Sequence, residues 1–337
     1  MLRILSEILS RTTSLSLMRN KFLYSYYKIP LIYLSSNSNP KRFFVSKRTL
    51  NTLQGEAAEL SKKAMHNLEI GRYHDALNDF LMAHDLISSF SEEDDHNLAK
   101  SFENIGVAYY YLQNFDQAME YLKKALNIFI RKKDTAPLDL ANIYNNLGAL
   151  LEKQGKLDGA IHFLGKSLDI YTGTKGEKDV NTAKALINLG SLYFKQGNYR
   201  NAEDCFEEGV SIYQSLGEEH RKELSELHSR LGHVKFTRGK FDEALQNLET
   251  AVEELEKDPV GNAHELYFIY DDLGNVYMRK GEFGKASEKK LKALEYHKQL
   301  FGDNHQDQVK LYSDLGLSIF YDNNFEDAEK LFEKSIQ

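Results

Sequence analysis

The sequence predicts an all-α solenoid of about seven helix–turn–helix pairs. Three observations predict it. A small residue recurs at Ala64, Gly106, Gly148, Gly190, Gly232, Gly274 and Gly316, always 42 residues apart. Two further columns keep that register: Ala76, Ala118, Ala160, Ala202, Ala244, Ala286 and Ala328, and the large apolar set Tyr73, Phe115, Leu157, Tyr199, Phe241, Phe283 and Phe325. The composition fits long helices, with only 4 Pro, no Trp and 28% charged residues in 337. Units repeated at a fixed period cannot bury their apolar faces alone, so they must stack.

Within each unit, apolar residues recur at helical spacing on both sides of a tight turn such as Gln196-Gly197-Asn198 or Arg238-Gly239-Lys240. Gly ends the first helix there because it tolerates a left-handed backbone. The Gly and Ala columns mark points where two helices approach closely. The columns at Ile105, Leu147, Leu189, Leu231, Leu273 and Leu315 and at Tyr109, Leu151, Tyr193, Lys235, Tyr277 and Ile319 fill the space between helices. The units fall near 57–90, 99–132, 141–172, 183–217, 225–257, 267–300 and 309–337. Pro137 and Pro259 lie between units, where a helix starts or stops, and Glu92-Glu93-Asp94-Asp95 reads as an acidic linker. In the first unit Lys63 and Asn67 replace the apolar residues of their columns, which predicts a solvated capping helix. After Phe325 the chain runs only to Gln337, so Phe332 and Ile336 are expected to be partly exposed, open to a partner, a second copy or further chain.

Residues 1–48 differ from this body. They hold nine basic residues and the single acid Glu7, a net +8, which leaves 34 basic against 49 acidic residues, or −15, for the rest. Arg3, Arg11 and Arg19 stand among Leu, Ile and Met in a Ser/Thr-rich stretch, the composition of an amphipathic mitochondrial presequence. Arg42-Phe43-Phe44-Val45-Ser46 resembles a matrix processing site with the cut after Phe44. A secretory signal fits worse, because Arg11, Arg19 and Lys21 interrupt any apolar core. A basic tail without an address is the plainer alternative. The acidic body argues against nucleic-acid binding, which needs a positive surface. One Cys excludes a disulfide framework, and no apolar run approaches the about 20 residues of a membrane helix.

The run Leu189-Gly190-x-x-Tyr193, followed by Gly197, Tyr199, Ala202 and Phe206, resembles the tetratricopeptide repeat family. The 42-residue period is similar to the kinesin-light-chain type, and Gly302-Asp303-Asn304-His305-Gln306 and Gly217-Glu218-Glu219-His220 resemble its inter-repeat loops, each without the usual Pro. The resemblance covers about residues 50–337. It implies that the pairs wind into a right-handed superhelix whose first helices line a concave groove.

Spacings of 4, 3 and 4 put the positions six before, two before, one after and five after the small residue on one helix face, opposite the core columns. Asn104, Asn146 and Asn188 stand two before it, and an amide there offers both donor and acceptor to an extended peptide backbone. The alternative is ordinary polar surface. Lys100, Lys184 and Lys310 stand six before, and Lys153, Lys195 and Arg279 five after. Tyr110, Phe194, Phe236 and Phe320 flank them. This lining suits an acidic, partly apolar peptide, against the plainer reading of a solvated charged face. Some proteins of the family clamp a chaperone's C-terminal carboxylate through an Asn one position after the small residue. Only Asn275 fits that column, so no such binding is expected.

No enzyme chemistry is expected. Gly173-Thr174-Lys175-Gly176 lacks the phosphate-loop spacing. His228 and His233 are five apart and form no metal pair, and Cys205 reads as a packing residue rather than a nucleophile. Neither metal nor cofactor is expected. The reading is a non-enzymatic mitochondrial scaffold or assembly adaptor that holds an extended segment or partner subunit in its groove. Kinesin-light-chain-type repeats behind a presequence look like the proteins that help assemble respiratory complexes from the matrix side of the inner membrane, with peripheral association. The alternatives are a permanent subunit of a respiratory assembly or mitochondrial ribosome, and a cytosolic cargo adaptor, for which the motor-recruiting coiled coil is missing before residue 50.

Overall fold

A computed structural model describes residues 47–92, 95–132, 135–303 and 305–336, with side chains from residue 50. The proposed presequence and its cleavage point at Phe44 lie outside the described residues, as does the middle of the acidic linker. Among the described residues the fold is all-α. Fourteen helices form seven pairs: α1 (Lys47–Glu69) with α2 (Tyr73–Phe90), α3 (His96–Tyr111) with α4 (Phe115–Arg131), α5 (Pro137–Lys153) with α6 (Leu157–Lys175), α7 (Val180–Lys195) with α8 (Tyr199–Leu216), α9 (Arg221–Thr237) with α10 (Phe241–Leu255), α11 (Ala263–Lys280) with α12 (Phe283–Phe301), and α13 (Gln308–Tyr321) with α14 (Phe325–Ile336). A 3-10 turn, Glu218–His220, precedes α9. No described helix is long and apolar enough to cross a membrane.

The large apolar column opens every second helix, from Tyr73 to Phe325. Seven residues after the small residue the backbone turns left-handed in all seven pairs. Gly71, Gly155, Gly197, Gly239 and Gly281 supply five of these turns, and Gln113 and Asn323 adopt φ of 60° and 65° at the other two. The next N–H then reaches back to the carbonyl five residues earlier, as Asn198 does to Tyr193 at 2.9 Å and Asn114 to Tyr109 at 2.9 Å. This closure satisfies the carbonyls that the first helix leaves free and aims the second helix back along it. Asn114 and Asn198 also cap the second helix through their side chains, and Asp95 and Asp179 cap α3 and α7. Pro137 is the first residue of α5, where its missing N–H leaves no bond unmade.

The chain divides into two compact units, Met1–Lys132 and Lys133–Gln337. In the first, Ala64, Ala76, Phe80, Ile105 and Ala108 form the core, and Leu53, Ala57 and Leu86 extend it along the first pair. The expected solvated cap is corrected here. Lys63 is exposed, but Asn67 is buried and donates to the buried Asp79 at 3.0 Å, with Lys63 Nζ 3.0 Å from the same carboxylate. α1 therefore packs through Leu53, Ala57, Ala64 and this polar pair, while its other side meets water. In the second unit, one cluster centres on Phe206, Tyr213 and Leu231, and another on Leu248, Leu266 and Leu273. A smaller one at Leu294, Leu311 and Leu315 joins the last two pairs. Ile336 is exposed and Phe332 half-buried.

The small residue of each pair faces the side chain sixteen places on. A Cβ at Gly148 would meet Leu164 Cγ at 2.8 Å, at Gly232 Leu248 Cγ at 2.6 Å, and at Gly190 Phe206 Cε1 at 2.6 Å. Gly190→Leu should therefore pry α7 from α8 and destabilise by about 1–3 kcal/mol or more. Gly165→Ala, in the middle of α6 with open space at its Cβ, should hold or gain about 0.4–1 kcal/mol. Thermal melts check both, and an unmoved curve for Gly190→Leu would show that the column is no close contact.

Candidate functional site

The face predicted from spacing is exposed. In the second unit Asn142, Lys184, Phe268 and Lys310, six before the small residue, face solvent, and so do Lys153, Lys195, Thr237, Arg279 and Tyr321, five after it. The residues two before and one after lie partly recessed between them, apart from the exposed Asn188, Arg230 and Leu317. First helices of successive pairs reach one another across this face. Asn188 Nδ2 is 3.5 Å from Asn145 Oδ1, Arg230 is 3.5 Å from Ser191 Oγ, and His233 Nδ1 is 2.8 Å from Asp272 Oδ2. Lys195 pairs with Glu152. Polar rungs thus join α5 to α7, α7 to α9 and α9 to α11.

The predicted residues divide accordingly. Lys153, Lys184, Arg279 and Lys310 are exposed cations. Lys195 is held by Glu152, and Asn188 reaches Asn145 rather than Asn146, which is half-buried. Phe194 and Phe236 are half-buried and lean on the opening residue of their own second helix, with ring centroids 5.3 Å from Tyr199 and 6.0 Å from Phe241. Tyr110 with Phe115 and Phe320 with Phe325 repeat this clasp, at 6.3 Å and 5.2 Å. Asn104 and Lys100 belong to the first unit, where Lys100 Nζ is 2.8 Å from the buried Glu103 carboxylate.

Charge is not uniform along the face of the second unit. Its α5–α7 part carries Lys153, Lys184 and Lys195. Its α9–α13 part carries Asp272 beside the exposed Arg279 and Lys310, and places Asp271 and Asp314 around a cation that sequence reasoning missed. Lys290 is only 2% exposed. It takes the place that Phe80, Leu122, Leu164, Phe206, Leu248 and Phe332 hold in the other pairs. Its stem lies against Gly274, and its ammonium donates to Asp271 at 2.6 Å and Asn275 at 2.7 Å, with Asp314 at 3.7 Å. An ionisable residue in an otherwise apolar column was the available signal. Lys235 is a second case, buried and held between Glu207 at 2.9 Å and Glu243 at 3.0 Å. Burial works against its charge, but the two carboxylates outweigh it and raise its pKa.

Two further groups bear on chemistry. Burial, helped by Glu208 and Asp204, pushes the Cys205 thiol up to about 12, so it stays protonated and inert. Asp272 accepts only, so His233 Nδ1 must carry the proton between them. That bond holds the imidazole above its ordinary pKa against the opposing effect of burial.

The tetratricopeptide repeat family model matches residues 56–131, 139–215 and 265–337. The unmatched stretch holds α9 and α10, which keep the same left-handed turn at Gly239. No curated protein sequence matches the chain. Among solved structures, BtubC from P. vanneervenii superposes on 75% of this chain and 94% of its own, with TM-score 0.56 and 19% identity. A signal-transduction ATPase with a tetratricopeptide repeat sensor from Pyrococcus horikoshii covers 86% of this chain with 42% of its own, at TM-score 0.72 and 15% identity. The nearly identical repeats of a putative kinesin light chain from Podospora anserina cover 60% of this chain and 97% of their own, at TM-score 0.54 and 16% identity. These likenesses concern the fold.

Two outcomes follow from the ionisable groups. A raised folded-state pKa means that the His233–Asp272 pair contributes fully below the unfolded value of about 6.5 and fades as pH rises through the folded one. Asp272→Asn should then lower the urea midpoint more at pH 6 than at pH 8.5, and equal losses would sink the assignment. Lys290→Leu restores the apolar column but strips Asp271 of its cation. A double-mutant cycle with Asp271→Asn should give a coupling of about 1 kcal/mol or more, and additive losses would show that the pair is not coupled.

Proposed function

We propose a binding role for this chain, which belongs to the tetratricopeptide repeat family: it is a non-enzymatic scaffold that holds an extended, acidic segment of a partner protein against the first-helix face of its second unit. The observation that carries this reading is the exposed cationic stretch of α5 and α7. Lys153 and Lys184 face solvent there, beside Asn142, Asn146 and Asn188. Lys supplies a strongly hydrated point charge on a long stem, so it attracts carboxylates without fixing one geometry. The amides beside these lysines are already engaged within the protein, Asn142 accepting from Tyr171 and Asn188 donating to Asn145, so the cations carry the recognition. Such charges on successive first helices favour an acidic, extended ligand over a folded surface of defined shape. This recognition is electrostatic at its rim, so salt weakens it.

The setting we propose is the mitochondrion, in the matrix or on the matrix side of the inner membrane, in the assembly or upkeep of a respiratory complex. Its support is the +8 charge, scattered Arg and near absence of acids in residues 1–48.

Native purification of the untagged protein from gently solubilised mitochondria tests both parts. The expected result is a chain trimmed near Val45 that travels with substoichiometric amounts of partner. Lys153→Glu with Lys184→Glu should release that partner, with about tenfold weaker binding and an unchanged melting curve. A chain absent from mitochondria removes the setting. Partner retention by the charge-reversed protein removes the face.

A further inference from the structure

The sixth pair breaks its apolar columns twice. One break is Lys290, whose charge is matched by Asp271 and Asp314. The other is His297 in α12, at a place held by Ile87, Phe129, Tyr171, Tyr213 and Leu255 in the five preceding pairs. His297 is 1% exposed, and its Nδ1 is buried without a hydrogen-bond partner. A buried imidazole nitrogen with nothing to bond loses its hydration without replacement, and Phe or Tyr would fill the same space without that loss. The column alone therefore does not explain a histidine here.

The neighbourhood does. His305 lies in the loop between α12 and α13, its ring 5.3 Å from that of His297, and Asp307 immediately precedes α13. One nitrogen of each histidine and one carboxylate oxygen of Asp307 lie within 4.8 Å of one another. His305 Nδ1 itself is 3.5 Å from Asp307 Oδ2. Tyr267 and Phe301 pack on the His297 ring at 5.1 Å and 4.7 Å, which keeps that side apolar. The contrast with the three-carboxylate group Glu203, Glu207 and Glu243 is instructive, because Lys235, Arg238 and Lys240 already neutralise that group. No lysine or arginine is paired with Asp307 among the described residues.

We propose that His297, His305 and Asp307 bind a divalent transition cation, zinc above all. Two imidazoles and one carboxylate are a borderline donor set that suits zinc and disfavours magnesium and calcium. Zinc ligands stand about 2.0–2.2 Å from the metal, so the three donors must draw together by roughly an ångström. His297 is fixed in its helix, while His305 in its loop and the exposed Asp307 have room to move. The ion would tie the end of α12 to the start of α13 and set the angle between the last two pairs. Three protein ligands leave a fourth position for water or for a donor from a partner.

The test is titration of the chelator-stripped full chain with zinc chloride, followed by calorimetry and by competition with a fluorescent chelator. One zinc per chain with a micromolar or tighter Kd is expected, together with a rise in melting temperature that millimolar magnesium does not produce. His297→Phe installs the residue that Phe129 supplies in the second pair, so the fold is retained and the metal-free melting point holds or rises. Zinc binding at that site is lost. His305→Gln and Asp307→Asn each weaken it at least about tenfold. The proposal is overturned if the unaltered chain takes up no zinc in this range. It is equally overturned if any of the three variants keeps the original stoichiometry and affinity, since binding is then adventitious and lies elsewhere.

Discussion

The close approach of two helices at a residue without a side chain is the constraint on which the rest of this structure depends. A Cβ at Gly106, Gly148, Gly190, Gly232, Gly274 or Gly316 would sit inside the contact distance of the residue sixteen places on. Because the backbones meet there, the side chains on either side are forced into fixed columns. Those columns bury the apolar residues of one pair against the next. They also fix which face of each first helix is left over. The exposed face is thus a consequence of the packing, and its outermost residues, such as Lys153 and Lys184, can vary without disturbing the repeat.

That dependence explains why the fold was legible in the sequence. The 42-residue register of Gly, Ala and large apolar residues carries both helix boundaries, since every second helix opens on the column from Tyr73 to Phe325. The turn column was legible at its glycines. Gln113 was not, because nothing local marks it, and Asn323 was marked only by the tolerance of Asn for that region. They enter the left-handed region because the closure of Asn114 onto Tyr109 and of Asn324 onto Ile319 requires it, and the packing of the pair supplies the energy. The first pair misled for a similar reason. Asn67 breaks its column, and only the fold reveals the buried Asp79 that receives it.

The candidate site was legible as a face and not as a set of contacts. Helical spacing placed Lys153, Lys184, Arg279 and Lys310 in solvent, because the angle between positions on one helix is fixed. It could not foresee that Lys195 reaches Glu152, or that His233 reaches Asp272, because those distances depend on how one pair is set against the next. Nor could it show that Phe194 and Phe236 close the turn of their own pair. Lys290 was visible only as an exception to a column, and its role appears once Asp271, Asn275 and Asp314 gather around it.

The rungs set a limit on how the face can bind. Asn188, Arg230, His233 and Asp272 serve the contacts between successive first helices. A ligand that takes their hydrogen bonds must first break a link that helps fix the angle between pairs. Its gain is then the difference between two polar interactions, which is small. Exposed cations such as Lys153 and Lys184 carry no such penalty, because a carboxylate replaces water and not a neighbouring helix. In the proposed binding role, affinity should therefore reside in the exposed charges at the rim of the first helices. The amides and the histidine beneath them keep the face in shape.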